Sequence, residues 1–201
     1  MTSTSLFGDK KEYSIVLGSG SPRRQELLKQ MGIPFTINLK SIDETYPSHL
    51  EGSEIARYIA QEKASPYLSN LSAKELLITA DTVVWHNHKH LAKADNKKEA
   101  LEMLESLSSS WHEVITAVCF TSTKAQELLH EVTKVKFKKL SKEEITYYVE
   151  QFKPFDKAGA YGIQEWIGLI GIEEIQGSYS NVVGLPTQRV YNYLSTLLTR
   201  E

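Results

Sequence analysis

The sequence predicts an α/β fold, a mixed twisted sheet with flanking helices, and three observations carry that prediction. Short apolar runs rich in β-branched residues, such as 13–18 and 76–84, read as buried strands. Between them lie stretches whose apolar residues recur at helical spacing, so strands and helices alternate along the chain. Two longer β-type runs, 113–122 and 128–137, follow one another across a short polar connection. They predict an antiparallel pair, and hence a mixed sheet rather than an all-parallel one.

In chain order, the strand at 13–18 enters Gly18-Ser19-Gly20, and a helix begins there. Ser21 suits the N-cap, and Pro22 suits the first helical position, where its missing N–H costs nothing. Leu27, Leu28 and Met31 face inward, and Gly32 with Pro34 ends the helix. A strand at 35–39 follows, then a polar loop, 41–52, carrying Asp43, Glu44 and Glu51. From Ser53 a second helix buries Ile55, Ala56, Ile59, Ala60 and Ala64. The strand at 76–84 is interrupted by Asp81. A helix at 96–107 turns Ala100, Leu101, Leu104 and Leu107 inward, and Ile145, Tyr148, Val149 and Phe152 mark another. The glycine-rich stretch 158–184 contains a strand near 169–175. After Pro186, the stripe Val190, Leu194, Leu197 and Leu198 closes the chain as a helix.

Composition narrows the function. The 23 basic and 25 acidic side chains leave a net charge of −2, so there is no broad basic face for nucleic acid and any anion site must be local. The one cysteine, Cys119, rules out an intrachain disulfide and sits in an apolar run, as a small buried hydrophobe does. No run approaches the roughly 20 apolar residues needed to span a bilayer. Residues 1–11 are polar and read as a flexible extension without a signal peptide, leaving one domain over 12–201 in a cytoplasmic protein with no membrane partner.

Chemistry concentrates in a few segments. Small residues at Gly18, Ser19 and Gly20 let a ligand approach the backbone, and the helix N-terminus behind them favours a phosphate. Arg23 and Arg24 add charged forks in a first turn where the helix dipole disfavours positive charge, which suggests a bound anion. Two solvated arginines in a polar turn are the alternative. The Walker A spacing is absent. Asp81 puts a carboxylate into an apolar strand, so it must pair, bind metal or open onto a cleft at the strand's end. Lys63 and Lys93, taken singly, are ordinary surface lysines. In the segment from Asp156 to Gln164 the small residues suit a tight turn, and the Gln164 amide can both donate and accept to a base. His86, His88 and His90 alternate around a hairpin turn, either as metal ligands on one face or simply as a polar turn.

These segments, taken in order, resemble the Maf family of nucleotide pyrophosphatases. The strings SGSPRRQELL, ITADTVV, DKAGAYGIQ and GSYSNVVGLP carry the likeness, which runs from about Ser14 to Leu198. The resemblance implies two lobes around a central cleft, similar to the inosine triphosphate pyrophosphatases, with frequent dimerisation and a divalent cation, Mg²⁺ or Mn²⁺. It implies a nucleoside triphosphate substrate cleaved between the α- and β-phosphates. By resemblance, Asp81 is the catalytic proton acceptor, Ser19, Arg23, Arg24, Lys63 and Lys93 hold phosphate, and Arg23, Thr82 and Gln164 set base selectivity. The Ala-Asp-Thr string and Gln164 look like the dTTP/UTP branch rather than its 7-methyl-GTP sister. A non-catalytic nucleotide-binding regulator of cell division is the further alternative. Three positions depart from the family pattern: Ala94 stands where proline is common, Glu165 follows Ile-Gln where glycine is common, and Asp43 followed by Glu44 stands at a site often held by glutamate. Asp81 with either Asp43 or Glu44 is therefore the expected metal-side set.

Overall fold

The chain is described by a computed structural model over residues 13–198, so the expected extension at 1–11 and the Leu198 side chain lie outside the described residues. The first strand, β1 (Ser14–Leu17), leads through Gly18–Ser21 into α1 (Pro22–Gln30). Ser21 caps α1 by accepting from the Arg24 amide, an interaction worth ~1 kcal/mol. Next come β2 (Phe35–Ile37), α2 (Ser53–Glu62) and the long strand β3 (Glu75–His86). The strand β2 stops two residues short of expectation, and Leu39 beyond it is exposed.

A tight turn joins β3 to β4 (Lys89–Leu91), with positive φ at both Asn87 and His88, the backbone that a two-residue hairpin requires. Then follow α3 (Lys97–Leu107), β5 (Trp111–Thr121), β6 (Gln126–Phe137) and α4 (Lys142–Phe152). Asn96 caps α3, and a reciprocal Ser141–Glu144 capping box starts α4. Phe152, expected inward, lies in the last turn of α4 and is partly exposed against the Tyr148 ring.

The chain closes through α5 (Trp166–Gly171), β7 (Ile172–Gln176), α6 (Tyr179–Val183) and α7 (Thr187–Leu198). The strand expected near 169–175 is thus a short helix followed by a strand. Helical spacing buries Ile167 while leaving Leu169 81% exposed, which a buried strand would not allow. Gly168 is needed there, because a Cβ would fall 1.9 Å from the Ile163 carbonyl oxygen.

The described strands form one mixed sheet in the order β2-β1-β3-β5-β6-β7, with β4 also on β3. β1 pairs in parallel with β2 and β3, and the remaining ladders are antiparallel. On one face, α1 and α7 cover Leu17, Leu76, Ile78, Ala80 and Phe120. On the other, α2 covers Val16, Leu77, Val83, Ala117 and Cys119. A third cluster joins α3, α4 and α5 to the far ends of β5 and β6 through Leu104, Val135, Phe137, Tyr148 and Ile167. Among the described residues no helix is long and apolar enough to cross a membrane.

One feature of this sheet places the functional site. On one edge of β3, β1 pairs only with Glu75 through Ile78, and β4 begins only at Val84. The stretch between is unpaired on that edge, while β5 pairs with it continuously on the other. Asp81 and Thr82 occupy this gap. Asp81 is therefore mid-strand, inside the run that its carboxylate was expected to interrupt, and not at a strand end.

Candidate functional site

Strand alternation sends Asp81 and Thr82 to opposite faces of the sheet. Asp81 meets the C-terminal end of α2, where Lys63 Nζ donates to its Oδ1 at 2.7 Å. Glu44, from the loop before α2, lies 2.9 Å from the same ammonium and 3.8 Å from Lys93 Nζ. One cation therefore gathers two carboxylates. Burial pushes the Glu44 carboxyl up, but the Lys63 hydrogen bond and charge, then Lys93 and Arg24, outweigh it and hold the group below the ordinary carboxylate range.

Thr82 faces α1. Arg24, on the first turn of that helix, is buried and donates to three neutral oxygens: Gly184 O through Nε at 2.9 Å, Ser19 Oγ through Nη1 at 3.2 Å, and Thr82 Oγ1 through Nη2 at 3.0 Å. No carboxylate of a described residue lies within 4.0 Å of it. Burial is the largest influence on Arg24 and lowers its pKa, while Asp81 acts in the opposite direction. The expectation that both arginines present free forks thus needs correcting. Arg24 is fixed in the wall by protein oxygens, and Arg23, nearer solvent, pairs with Asp156 at 3.3 Å. Ser19 Oγ accepts from both Arg24 and the Ser21 amide, so its own proton is left to donate elsewhere.

These groups border a cavity of about 780 Å³, a size suited to a small-molecule ligand. Ser19, Arg23, Arg24, Glu44, Lys63, Asp81, Thr82, Lys93 and Gln164 all line it. Asp43, offered with Glu44 as a metal-side carboxylate, is exposed and does not. The loop's aim makes that choice. Tyr46 OH lies 3.0 Å from His90 Nδ1 on β4, and Glu44, two residues upstream, is drawn to Lys63.

The histidine spacing does not build a metal site. His86 Nδ1 lies 3.0 Å from Trp111 O, His88 forms the turn, and His90 meets Tyr46. No group of three metal-ligating side chains occurs among the described residues. Cys119 is buried, and burial raises its thiol pKa, as suits a packing residue.

Several cavity residues were not singled out from the sequence. Tyr46, Lys157, Tyr161, Val182 and Val183 all reach it, as does His90, which the sequence offered only as a possible metal ligand. Lys157 stands inside DKAGAYGIQ, but nothing in its spacing signals that it is buried. Gly184, in GSYSNVVGLP, supplies the carbonyl that holds Arg24 across 160 residues of chain.

A sequence model described as Maf-like protein matches residues 14–197. The chain belongs to the Maf family. A relative from Flavobacterium johnsoniae, named dTTP/UTP pyrophosphatase, is 51% identical over 188 residues, covering 94% of this chain and 97% of that protein. One of the same name from Bacteroides fragilis is 50% identical over 193 residues, covering 96% of this chain and all of that one (100%). The solved structure of a nucleoside-triphosphatase / dITP/XTP pyrophosphatase from Mycobacterium abscessus overlays with a TM-score of 0.41 at 11% identity, over 92% of this chain and 94% of that one. An overlay that loose carries no argument about this Maf-family chain.

Proposed function

We propose that the protein is a nucleoside triphosphate pyrophosphatase acting on dTTP and UTP, releasing the nucleoside monophosphate and pyrophosphate. The observation that carries this reading is the meeting, in one cleft, of the Asp81–Lys63–Glu44 cluster with a buried Arg24 that has no carboxylate partner among the described residues. The names of relatives at about half identity support the choice of base.

Arg24, Ser19 and the α1 N-terminus form the anion-holding wall, with Arg23 and Lys93 nearer the mouth. A triphosphate there meets a guanidinium whose orientation is already set, so little ordering is needed on binding. Across the gap, Lys63 holds Asp81 through one oxygen, and the other has no hydrogen bond from a described residue. Asp81 orients a water and accepts its proton as the water attacks the α-phosphorus. The bond to the bridging oxygen breaks, and pyrophosphate leaves.

Glu44 and Asp81, both held by the Lys63 ammonium, offer hard carboxylate oxygens of the kind Mg²⁺ or Mn²⁺ takes, and Asp81 keeps one oxygen that Lys63 does not hold. Such an ion often uses only one or two protein carboxylates and fills its remaining positions with water and phosphate, so the set fits. When bound, the ion would neutralise charge on the phosphates.

The test is pyrophosphate release from dTTP, UTP, CTP and 7-methyl-GTP with Mg²⁺ or Mn²⁺ present. Preferred hydrolysis of dTTP and UTP is expected. A preference for 7-methyl-GTP, or binding without pyrophosphate release, would overturn the reading.

A further inference from the structure

The phosphate-binding scheme leaves two cavity cations unused: Lys40, which is exposed and donates to Pro66 O, and Lys157, which is buried. Its side chain is only 9% exposed, yet it lines the cleft. Its ammonium lies 2.7 Å from Asp156 Oδ1 and 3.0 Å from Glu165 Oε1. Neither carboxylate is loose. Asp156 is shared with Arg23, and Glu165 Oε2 accepts from Tyr148 OH, which in turn accepts from the Gly162 amide at 3.1 Å. Tyr148 is fully buried in α4, so this chain of bonds anchors the ammonium to the core.

Two facts separate Lys157 from Arg24. Its charge is balanced by two carboxylates, whereas Arg24 has none within 4.0 Å among the described residues. A phosphate seeks unbalanced positive charge, but a neutral carbonyl needs only an aimed N–H. Second, Lys157 shares its place with Gln164. A Cβ on Gly162 would lie 3.0 Å from Gln164 Nε2 and 2.9 Å from the Glu165 carboxyl carbon, so the amide and the carboxylate holding Lys157 converge above that glycine.

We propose that Lys157 is a specificity-determining residue that donates to the C4 carbonyl oxygen of a thymine or uracil base, with Glu165 as its positioning residue. An ammonium has three donors and no acceptor. One is donated to Asp156, Glu165 holds the ammonium as an ion pair, and a donor is left for a carbonyl oxygen. Uracil and thymine carry an acceptor at that position, and cytosine carries an amine donor, which a donor-only cation cannot partner. Gln164 alone could not discriminate this way, because an amide can reorient to offer either its oxygen or its nitrogen. Glu165 removes the lysine's surplus charge and fixes its direction.

The proposal rests on the pyrimidine-triphosphatase reading, and the two fail differently. If the wild-type protein releases no pyrophosphate from dTTP or UTP, that reading fails. If it hydrolyses UTP and CTP with equal kcat/KM, the Lys157 proposal falls with the expected base preference, while the pyrophosphatase reaction stands. For the residue itself, Lys157→Met should narrow the UTP-to-CTP ratio of kcat/KM by about tenfold or more, through loss of UTP efficiency. Inhibition by inorganic tripolyphosphate should stay unchanged. An equal loss for both nucleotides, or weakened tripolyphosphate inhibition, overturns the assignment in favour of a structural or phosphate role. Because Lys157→Met leaves Glu165 without its cation and Asp156 with only Arg23, Glu165→Gln provides a milder second variant, with thermal unfolding followed in both. It should narrow the same ratio by a smaller factor at near-normal stability. An unchanged ratio in a folded Glu165→Gln protein removes Glu165 from the proposal, and an unchanged ratio in both variants ends it.

Discussion

Arg24 and Lys63 stand on the two sides of the same strand gap, carry the same charge and are both largely buried, yet their surroundings are opposite. Arg24 donates to a carbonyl and two hydroxyls, all neutral. Lys63 lies between Asp81 and Glu44, both acidic. A buried cation supported only by neutral dipoles retains its field and attracts an anion. One enclosed by two carboxylates loses that field and instead fixes the carboxylates in position. The cleft thus holds a cation without a carboxylate among the described residues and a pair of carboxylates on one lysine, without either neutralising the other. Residues 81 and 82 keep the two apart, because successive side chains of β3 point to opposite faces.

The largest test of the comparison is at the acidic side. Asp81→Asn should lower kcat by about 10²–10⁴ with little change in KM, as loss of a proton acceptor does. Near-normal turnover in steady-state assays would remove Asp81 from the chemistry. Stability separates the two cations next. Lys63→Met leaves the buried Asp81 without its cation and Glu44 with only Lys93, and should cost about 3 kcal/mol in denaturant unfolding. Arg24→Met should cost only about 1 kcal/mol, since lost hydrogen bonds are partly offset by removal of a desolvated charge, while substrate affinity falls steeply. Equal stability losses would break the contrast.

His112 sharpens it from outside the cleft, as a buried base that avoids the same desolvation cost by staying neutral. Burial, reinforced by His86, pushes its pKa down to about 3, against about 6.5 for an unfolded chain. The unfolded state therefore binds the extra proton first, and stability is lost as pH falls from about 6.5 toward 3. Between pH 7 and pH 5 that loss is about 2 kcal/mol, and it should be absent from the pH slope of His112→Gln in chemical unfolding.

A smaller effect distinguishes the two loop acids. Glu44→Gln should raise the metal concentration needed for half-maximal activity by about tenfold, and Asp43→Asn should leave it unchanged. Equal responses would mean that the loop binds substrate in another arrangement. Thr82→Val is the mildest change. It removes one acceptor from Arg24 and the 3.0 Å contact with Thr116 Oγ1, and should lower kcat/KM about threefold.

Much of the fold was legible because it depends on near neighbours. Ser21 and Pro22 mark where α1 starts whatever the rest of the chain does, and the stripe from Ile55 to Ala64 marks the buried face of α2. The stretch 169–171, expected as the start of a strand, misled for the same reason. Its apolar residues satisfy a strand or a helix equally, and the close approach of Gly168 to the Ile163 carbonyl decides between them. Lys157 escaped notice because the carboxylate that turns it inward, Glu165, is itself aimed by Tyr148 on another helix.

By itself, then, the sequence determined the alternating elements, the small-residue turn that starts α1 at Ser21 and a carboxylate where an apolar strand should not have one. Tertiary structure alone decided the company each charge keeps. It opened the gap in β3 that admits Asp81, drew Glu44 rather than Asp43 to Lys63, and closed Gly184 over Arg24. The physical reason is range. Caps and helical stripes are set within a few residues, but a buried charge is defined by its desolvation and its partners, and these come from segments up to 160 residues apart.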